Sequence, residues 1–325
     1  MQSTRYIRII IVFFVIVFNS SLQAQNTKGK LFIIGGGHRS DVLMTQLVNI
    51  ADLKKREYIV VLPMSSEEPD SAYVYFKKQF EKLVPNPIIM LNFDKTGANN
   101  KAMTDSLQNA KLIYISGGDQ TRFMNVVKDT PIYAAIHKAY ENGSTIAGTS
   151  AGAAVMCEHM ITGNQKLEAK YSATFDNIRY DNLETTVGLG LIKNVIIDQH
   201  FLKRSRYNRL LSALVEFPDH IGIGIDESTA LIVRNKEIEI AGESEVIVVQ
   251  KPKGITKSKK ENLVSIKRLE MAVYTEGQKF KASGAIIEVK GNTGLKSDIT
   301  LSYTDEVLNA MEEEKGNKVT GNTIG

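Results

Sequence analysis

From Lys30 onward, short unbroken apolar runs alternate with longer stretches whose apolar residues recur every three or four positions. The short runs are "LFIIG" (31–35), "YIVVLPM" (58–64), "PIIMLNF" (87–93), "KLIYISGG" (111–118) and "STIAGTS" (144–150). Apolar throughout and rich in β-branched residues, they read as strands of a sheet covered on both faces. The longer stretches are "DVLMTQLVNIADLKK" (41–55), "PDSAYVYFKKQFEKLV" (69–84), "KAMTDSLQNA" (101–110) and "TPIYAAIHKAYENG" (130–143), the last closed by Gly143. They read as amphipathic helices. Alternation of this kind predicts an α/β protein with a mostly parallel central sheet flanked by helices. Open α/β sheets hold ligands at the carboxyl ends of their strands. Here those ends are "GGGHRSD" (35–41), "SGGDQTR" (116–122) and "GTSAG" (148–152), three glycine-rich loops expected on one rim.

The pattern changes after "NVIIDQHF" (194–201). Residues 221–250, "IGIGIDESTALIVRNKEIEIAGESEVIVVQ", read as consecutive strands with a turn near Asn235 and Lys236, an antiparallel extension of the sheet in the C-terminal part. A Lys-rich loop, "KPKGITKSKKEN" (251–262), precedes "LVSIKRLEMAVYTEGQKF" (263–280), which reads as one more hairpin. At the other end, Arg5 and Arg8 lead into "IIIVFFVIVF" and then "NSSLQAQ", the layout of a secretory signal peptide cut after Ala24. That apolar run is shorter than the roughly 20 residues a spanning helix needs, so no stable membrane insertion is expected after cleavage. The expected organisation is a signal peptide over 1–24, one catalytic domain over 28–285 including the β extension, and a polar tail over 286–325. The expected location is exported, periplasmic or extracellular.

Composition changes this picture little. With 43% hydrophobic and 23% charged residues among 325, the chain can bury a sizeable core. Loss of Arg5 and Arg8 with the signal takes the formal charge from +4 to +2, too mild to suggest nucleic-acid binding. A single cysteine excludes an intrachain disulfide. Cys157, seven positions beyond Ser150 in what reads as a helix, is taken as a small buried apolar residue.

Candidate chemistry gathers on the rim. Residues 148–152 fit G-x-S-x-G, the strand-to-helix turn that projects a serine nucleophile, with "AGAAVMCEHM" (151–160) as its helix. A helix start also offers N–H groups to an oxyanion. The alternative is a tight turn with Ser150 as a helix cap. A serine nucleophile needs a base, usually a histidine held by a carboxylate. His137 and His159 read as helix residues, and His220 falls at the amino end of a strand. His200 ends an apolar strand and is preferred as base over His38 in the first glycine loop. The acid is Asp226 or Glu227, which face opposite sides of a strand. Glu227 shares the isoleucine face and is expected to be the more buried, while Gly222 and Gly224 leave space on the Asp226 side. Parity alone leaves the choice open. Asp198 and His200 lie two apart on one strand, but without a second ligand cluster no metal is expected. Lys203, Arg204, Arg206 and Arg209 follow the base directly. They read either as a clamp for carboxylates or as a solvated basic helix.

In chain order, "GGG" (35–37), "SGGDQ" (116–120), "GTSAGA" (148–153), "DQHFLKRSRYNRL" (198–210) and "GIGIDESTA" (222–230) resemble cyanophycinase. That family belongs with the serine peptidases related to aspartyl dipeptidase, family S51, which share the flavodoxin-like, class I glutamine amidotransferase-like fold. The resemblance runs from about 29 to 230, and more weakly to about 280. It implies Ser150 as nucleophile, His200 as base and Glu227 as third triad member. It further implies oxyanion donors from Ala151 and the turn at Gly118 and Asp119, and substrate contacts from Gln120, Asp198, Gln199, Arg204, Arg206 and Arg209. The substrate implied is a polymer rich in aspartate with arginine on each side-chain carboxyl, cleaved by acyl transfer to β-Asp-Arg without metal or organic cofactor, by an enzyme expected to form a homodimer. Ser205 departs from the pattern, standing where a glycine is expected, and residues 170–192 are expected to shape specificity. Competing readings are an α-aspartyl or isoaspartyl dipeptidase, a nucleotide-binding module built on "IIGGGHRSD", and an inert relative that binds acidic polymers. The nucleotide reading lacks G-x-G-x-x-G.

Overall fold

The computed structural model describes residues 28–281 except Lys236. The expected signal peptide, the tail 286–325 and one position of the turn at 235–236 lie outside the described residues. In chain order the elements begin β1 (Lys30–Ile34), α1 (Asp41–Ala51), β2 (Ile59–Leu62), α2 (Pro69–Phe80), β3 (Ile88–Met90), α3 (Lys101–Gln108), β4 (Leu112–Ile115) and α4 (Gln120–Val127). Next come α5 (Pro131–Asn142), β5 (Thr145–Thr149), α6 (Ala151–Ala154), β6 (His159–Gln165), β7 (Leu183–Val187), β8 (Val195–Gln199), α7 (Tyr207–Glu216) and β9 (Ile221–Ile225). The last are β10 (Thr229–Arg234), β11 (Glu237–Gly242), β12 (Val246–Lys253), β13 (Thr256–Lys257), β14 (Val264–Ser265), β15 (Arg268–Tyr274) and β16 (Lys279–Lys281). The chain divides into two compact units. The first takes the described residues up to Ile34, Arg39–Ala153 and Leu231–Ile238; the second takes Gly35–His38, Ala154–Ala230 and the described residues from Glu239.

The first unit is the α/β sheet that the apolar runs anticipate. Its strand order is β10, β1, β5, β4, β2, β3, and the pairings from β1 across to β3 are all parallel. Every residue of β2, β4 and β5 is buried, which is why these segments lack the apolar–polar alternation of a half-exposed sheet. Strand β3, at the edge, keeps partial exposure. Phe76 and Phe80, one turn apart on α2, stack at 4.1 Å, and Phe76 lies 4.2 Å from the ring of Tyr114 on β4. Helix α1 ends short of the expected 55 because Asp52 turns into the left-handed region at φ 52 and its N–H closes onto Val48 O. Helix α5 starts with Pro131 and ends at Gly143, φ 107, as its sequence indicates.

The second unit departs from expectation in two places. The helix expected over 151–160 ends at Ala154, so His159 opens a strand and Cys157 forms a bridge with Ile192. The carbonyls of Val155, Met156 and Cys157 accept from the N–H groups of Leu189, Leu191 and Gly190, respectively, and so take acceptors a longer helix would use. Second, the late strands do not form one antiparallel extension. Strand β9 pairs in parallel with β8 and antiparallel with β12, which pairs with β15, giving a four-stranded sheet. Strand β10 instead lies beside β1 in the first unit's sheet, and β16 lies beside β11. The hairpin expected over 263–280 is therefore absent: β14 pairs with β13, and β15 and β16 go to different sheets. Helix α7 covers the four-stranded sheet, with Leu210, Ala213 and Leu214 packed in one cluster with Ile196, Phe201, Ile247 and Val249.

Candidate active site

In the first unit, β5 delivers Ser150 into a bend that a side chain seldom adopts. Its φ is 51°, in the left-handed region that non-glycine residues occupy mainly where function or surrounding structure requires it. Its N–H donates to Ile34 O at 3.0 Å. Two residues on, a Cβ on Gly152 would lie 2.3 Å from Ile115 O, so only glycine lets α6 start against β4. The N–H of Ala151, at that start, has no intrahelical acceptor. The loop after β4 runs alongside: a Cβ on Gly117 would stand 3.5 Å from Ser150 Cβ. Gly118, at φ 134, lies so close to Ser65 that a Cβ there would meet Ser65 O at 2.1 Å. Asp119 was expected to donate to an oxyanion, yet its N–H donates to Ser65 O at 2.8 Å and is spent on holding the turn. Its carboxylate instead caps α4, accepting from Thr121 and Arg122 N–H at 2.7 and 3.1 Å. Gln120 is buried as the first residue of that helix. Ser65 was not singled out from sequence; buried, it donates its hydroxyl to Ser116 O at 2.7 Å. The one clue was its place just past the apolar run 58–64.

In the second unit, β8 ends at Gln199 and the chain turns at His200, φ 50. The His200 N–H donates to Gly35 O at 2.8 Å, and its Nδ1 lies 2.6 Å from Glu227 Oε1. The glycines of the first loop make room for this pair: a Cβ on Gly36 would stand 2.3 Å from His200 Cε1, and one on Gly37 2.7 Å from Glu227 Oε2. Burial lowers the His200 pKa below its ordinary value; the Glu227 hydrogen bond opposes this, and the Arg204 and Arg206 charges add to the lowering. The imidazole is therefore neutral at neutral pH, with Nδ1–H turned to Glu227 and Nε2 as its basic nitrogen. His38 is exposed and holds Ser228 through its carbonyl at 2.8 Å. Asp226 is the more buried acid, at 9% exposure against 28% for the Glu227 side chain, the reverse of the expectation. Its oxygens accept from Lys203 N–H and the Ser244 hydroxyl at 2.9 and 2.8 Å. The space expected beside Gly222 and Gly224 is filled by Leu210, Val249 and Phe201.

The arginines after the base are not a solvated helix. Arg206 and Arg209 are each 2% exposed. Arg209 grips the buried Asp198 carboxylate with Nε, at 2.8 Å, and Nη2. Arg206 donates to Gln199 O at 2.7 Å, to the Gln199 side chain and to Ala173 O at 3.0 Å. Asp198 is thus turned to cations rather than paired with His200. Lys203 and Arg204 stay exposed, and Arg204 N–H donates to His200 O at 3.0 Å. Ser205, at φ 48, adopts the conformation a glycine takes without strain. Elsewhere, His159 stacks on Phe217 at 4.2 Å, His137 lies 4.7 Å from the Tyr133 ring, and burial pushes the Cys157 thiol up to about 11.

Known proteins are similar to this chain along most of its length. The sequence profile of Peptidase family S51 matches residues 31–241. A cyanophycinase of Trichormus variabilis is 32% identical over 268 residues, spanning 79% of this chain and 86% of its own. A cyanophycinase of Geminocystis herdmanii is 36% identical over 194 residues, 59% of this chain and 68% of its own. The crystal structure of a peptidase from an acI-B1 actinobacterium superposes with a TM-score of 0.58 at 22% identity, covering 79% of this chain and 98% of that one, and so shares its fold. The chain belongs to peptidase family S51 and is a serine-type peptidase.

Proposed function

We propose that the protein is an exported exopeptidase that hydrolyses cyanophycin or related β-aspartyl polymers to β-Asp-Arg through Ser150, His200 and Glu227. The observation that carries this reading is the His200–Glu227 pair, an imidazole kept neutral by burial and oriented by a carboxylate at 2.6 Å. Ser150, held at a left-handed bend that starts a helix, suits the nucleophile. In this mechanism Ser150 Oγ attacks the main-chain carbonyl of an aspartyl residue whose side-chain carboxyl carries arginine, while His200 Nε2 takes its proton. Glu227 stabilises the imidazolium, and the N–H groups of Gly118 and Ala151 hold the oxyanion. His200 then returns the proton to the leaving amine, and water, deprotonated by the same imidazole, releases the acyl group. Arg204 is an exposed cation for the carboxylates of the substrate, and Gln120 and Gln199 are polar contacts for the substrate in the same reading. Asp198, Arg206 and Arg209 line the same segment and fix it from within.

Incubation with insoluble cyanophycin and, separately, with free α- and β-linked aspartyl dipeptides tests the reading. Soluble β-Asp-Arg released from polymer is the expected result. Cleavage of free dipeptides alone would assign the enzyme to the dipeptidases instead.

A further inference from the structure

The Lys-rich stretch 251–262 plays no part in the proposed chemistry, yet it borders a cavity of about 310 Å³ in the second unit. That volume is within the usual range for small-ligand sites. The cavity lies at the amino ends of β8 and β9, the opposite end of β8 from His200, and about 16 Å away by strand rise. Its walls are Lys193 and Asn194 before β8, Asp219 and His220 before β9, and the segment Gln250–Lys253 of β12. Strand β12 bulges there, with a register shift between Gln250 and Lys253 and Lys251 at φ 53. Bulges re-aim side chains, often beside sites. Lys251 is engaged by Glu270 at 2.8 Å. Among the described residues Lys193 and Lys253 meet no carboxylate, and both are exposed. His220 Nδ1 is buried with no hydrogen-bond partner among the described residues. The next residues continue the charge, since Lys257, Lys259 and Lys260 are all exposed.

An excess of cations, amide and imidazole groups and an unsatisfied buried nitrogen together suit oxyanions. The apolar lining consists of Val195, Pro218, Ile221 and Pro252, with no Phe, Tyr or Trp to enter a lipid interface or stack on a base. We propose that this cavity, with Lys193 and Lys253 as its principal cations, is an exosite for carboxylates of a polypeptide substrate, holding the polymer away from the catalytic rim. This deepens the function proposed above and rests on it for the identity of the polymer.

The test measures binding of fluorescent poly-aspartate to full-length Ser150→Ala protein at low salt, so that turnover does not enter. The proposal expects Lys193→Ala/Lys253→Ala to weaken binding about tenfold, the Lys→Arg pair at the same positions to restore it, and Lys55→Ala/Lys82→Ala, equal in lost charge, to leave it unchanged. With Ser150 intact, the cavity variant is expected to cleave short soluble β-Asp-Arg oligomers at the wild-type rate and to lose activity only on insoluble polymer. Absent binding, equal weakening by the control pair, or a matching loss on short oligomers would each overturn the exosite. Cavity-dependent binding of phosphatidylserine vesicles or of duplex DNA as tight as that of poly-aspartate would overturn it too. If the wild type cleaves no β-aspartyl substrate, the proposed function fails, while the binding comparison still decides the exosite.

Discussion

His200 sits between two opposing influences: burial favours the neutral ring, and Glu227 at 2.6 Å favours the charged one. Burial is the larger, so kcat/KM is expected to rise with pH to a plateau, with its midpoint below 6.5. The same shift acts on stability. The unfolded histidine takes a proton at higher pH than the folded one, so folding weakens as pH falls below 6.5. A pH–rate profile whose acid limb lies above 6.5 would contradict this account of the base. Replacing Glu227 with Gln removes the only carboxylate influence that outranks the Arg204 and Arg206 charges at His200. The acid limb is then expected to move to lower pH and kcat to fall by about 10²- to 10⁴-fold. Ser205→Gly, at φ 48, is expected to stabilise the fold by up to about 1 kcal/mol, read as a raised Tm with unchanged kcat.

Among the elements, the rim loops act through their closeness to side chains. Gly36→Ala places a Cβ 2.3 Å from the His200 ring, at φ 112. The imidazole must move, and kcat is expected to drop at least 10²-fold while far-UV circular dichroism stays native. Arg209→Met leaves the Asp198 carboxylate buried beside Arg206 alone and is expected to cost about 3–5 kcal/mol by chemical denaturation. The element types of the first unit were legible because β2, β4 and β5 are buried along their whole length, so each shows as an unbroken apolar run. The end of α6 was not legible. Val155–Cys157 are apolar and suit a helix, and what stops them is pairing with residues 188–192, more than thirty positions away. Nor was the division of the late strands, since β9 and β10 are both buried almost throughout but join different sheets.

Over the whole molecule, the candidate site was legible as residue types and loop positions, and much less as hydrogen bonding. Strand parity could not choose between Asp226 and Glu227. The contacts separate them, since Asp226 is committed to Lys203 and Ser244, and Glu227 to His200. The Asp119 N–H resembled an oxyanion donor until Ser65, fifty-four positions earlier, proved to be its acceptor. The proposed export is tested at this scale as well: the protein is expected outside the cytoplasm and beginning at Gln25 by intact mass, and retention in the cytoplasm or an unprocessed N-terminus would contradict it.

The most direct measurement compares wild-type and Ser150→Ala protein on a soluble β-Asp-Arg oligomer, with products identified by mass. The account expects wild type to release β-Asp-Arg and the variant to be at least about 10⁴-fold slower in kcat with its fold intact. A variant that releases the same product within tenfold of the wild-type rate would contradict the assignment of Ser150 as nucleophile.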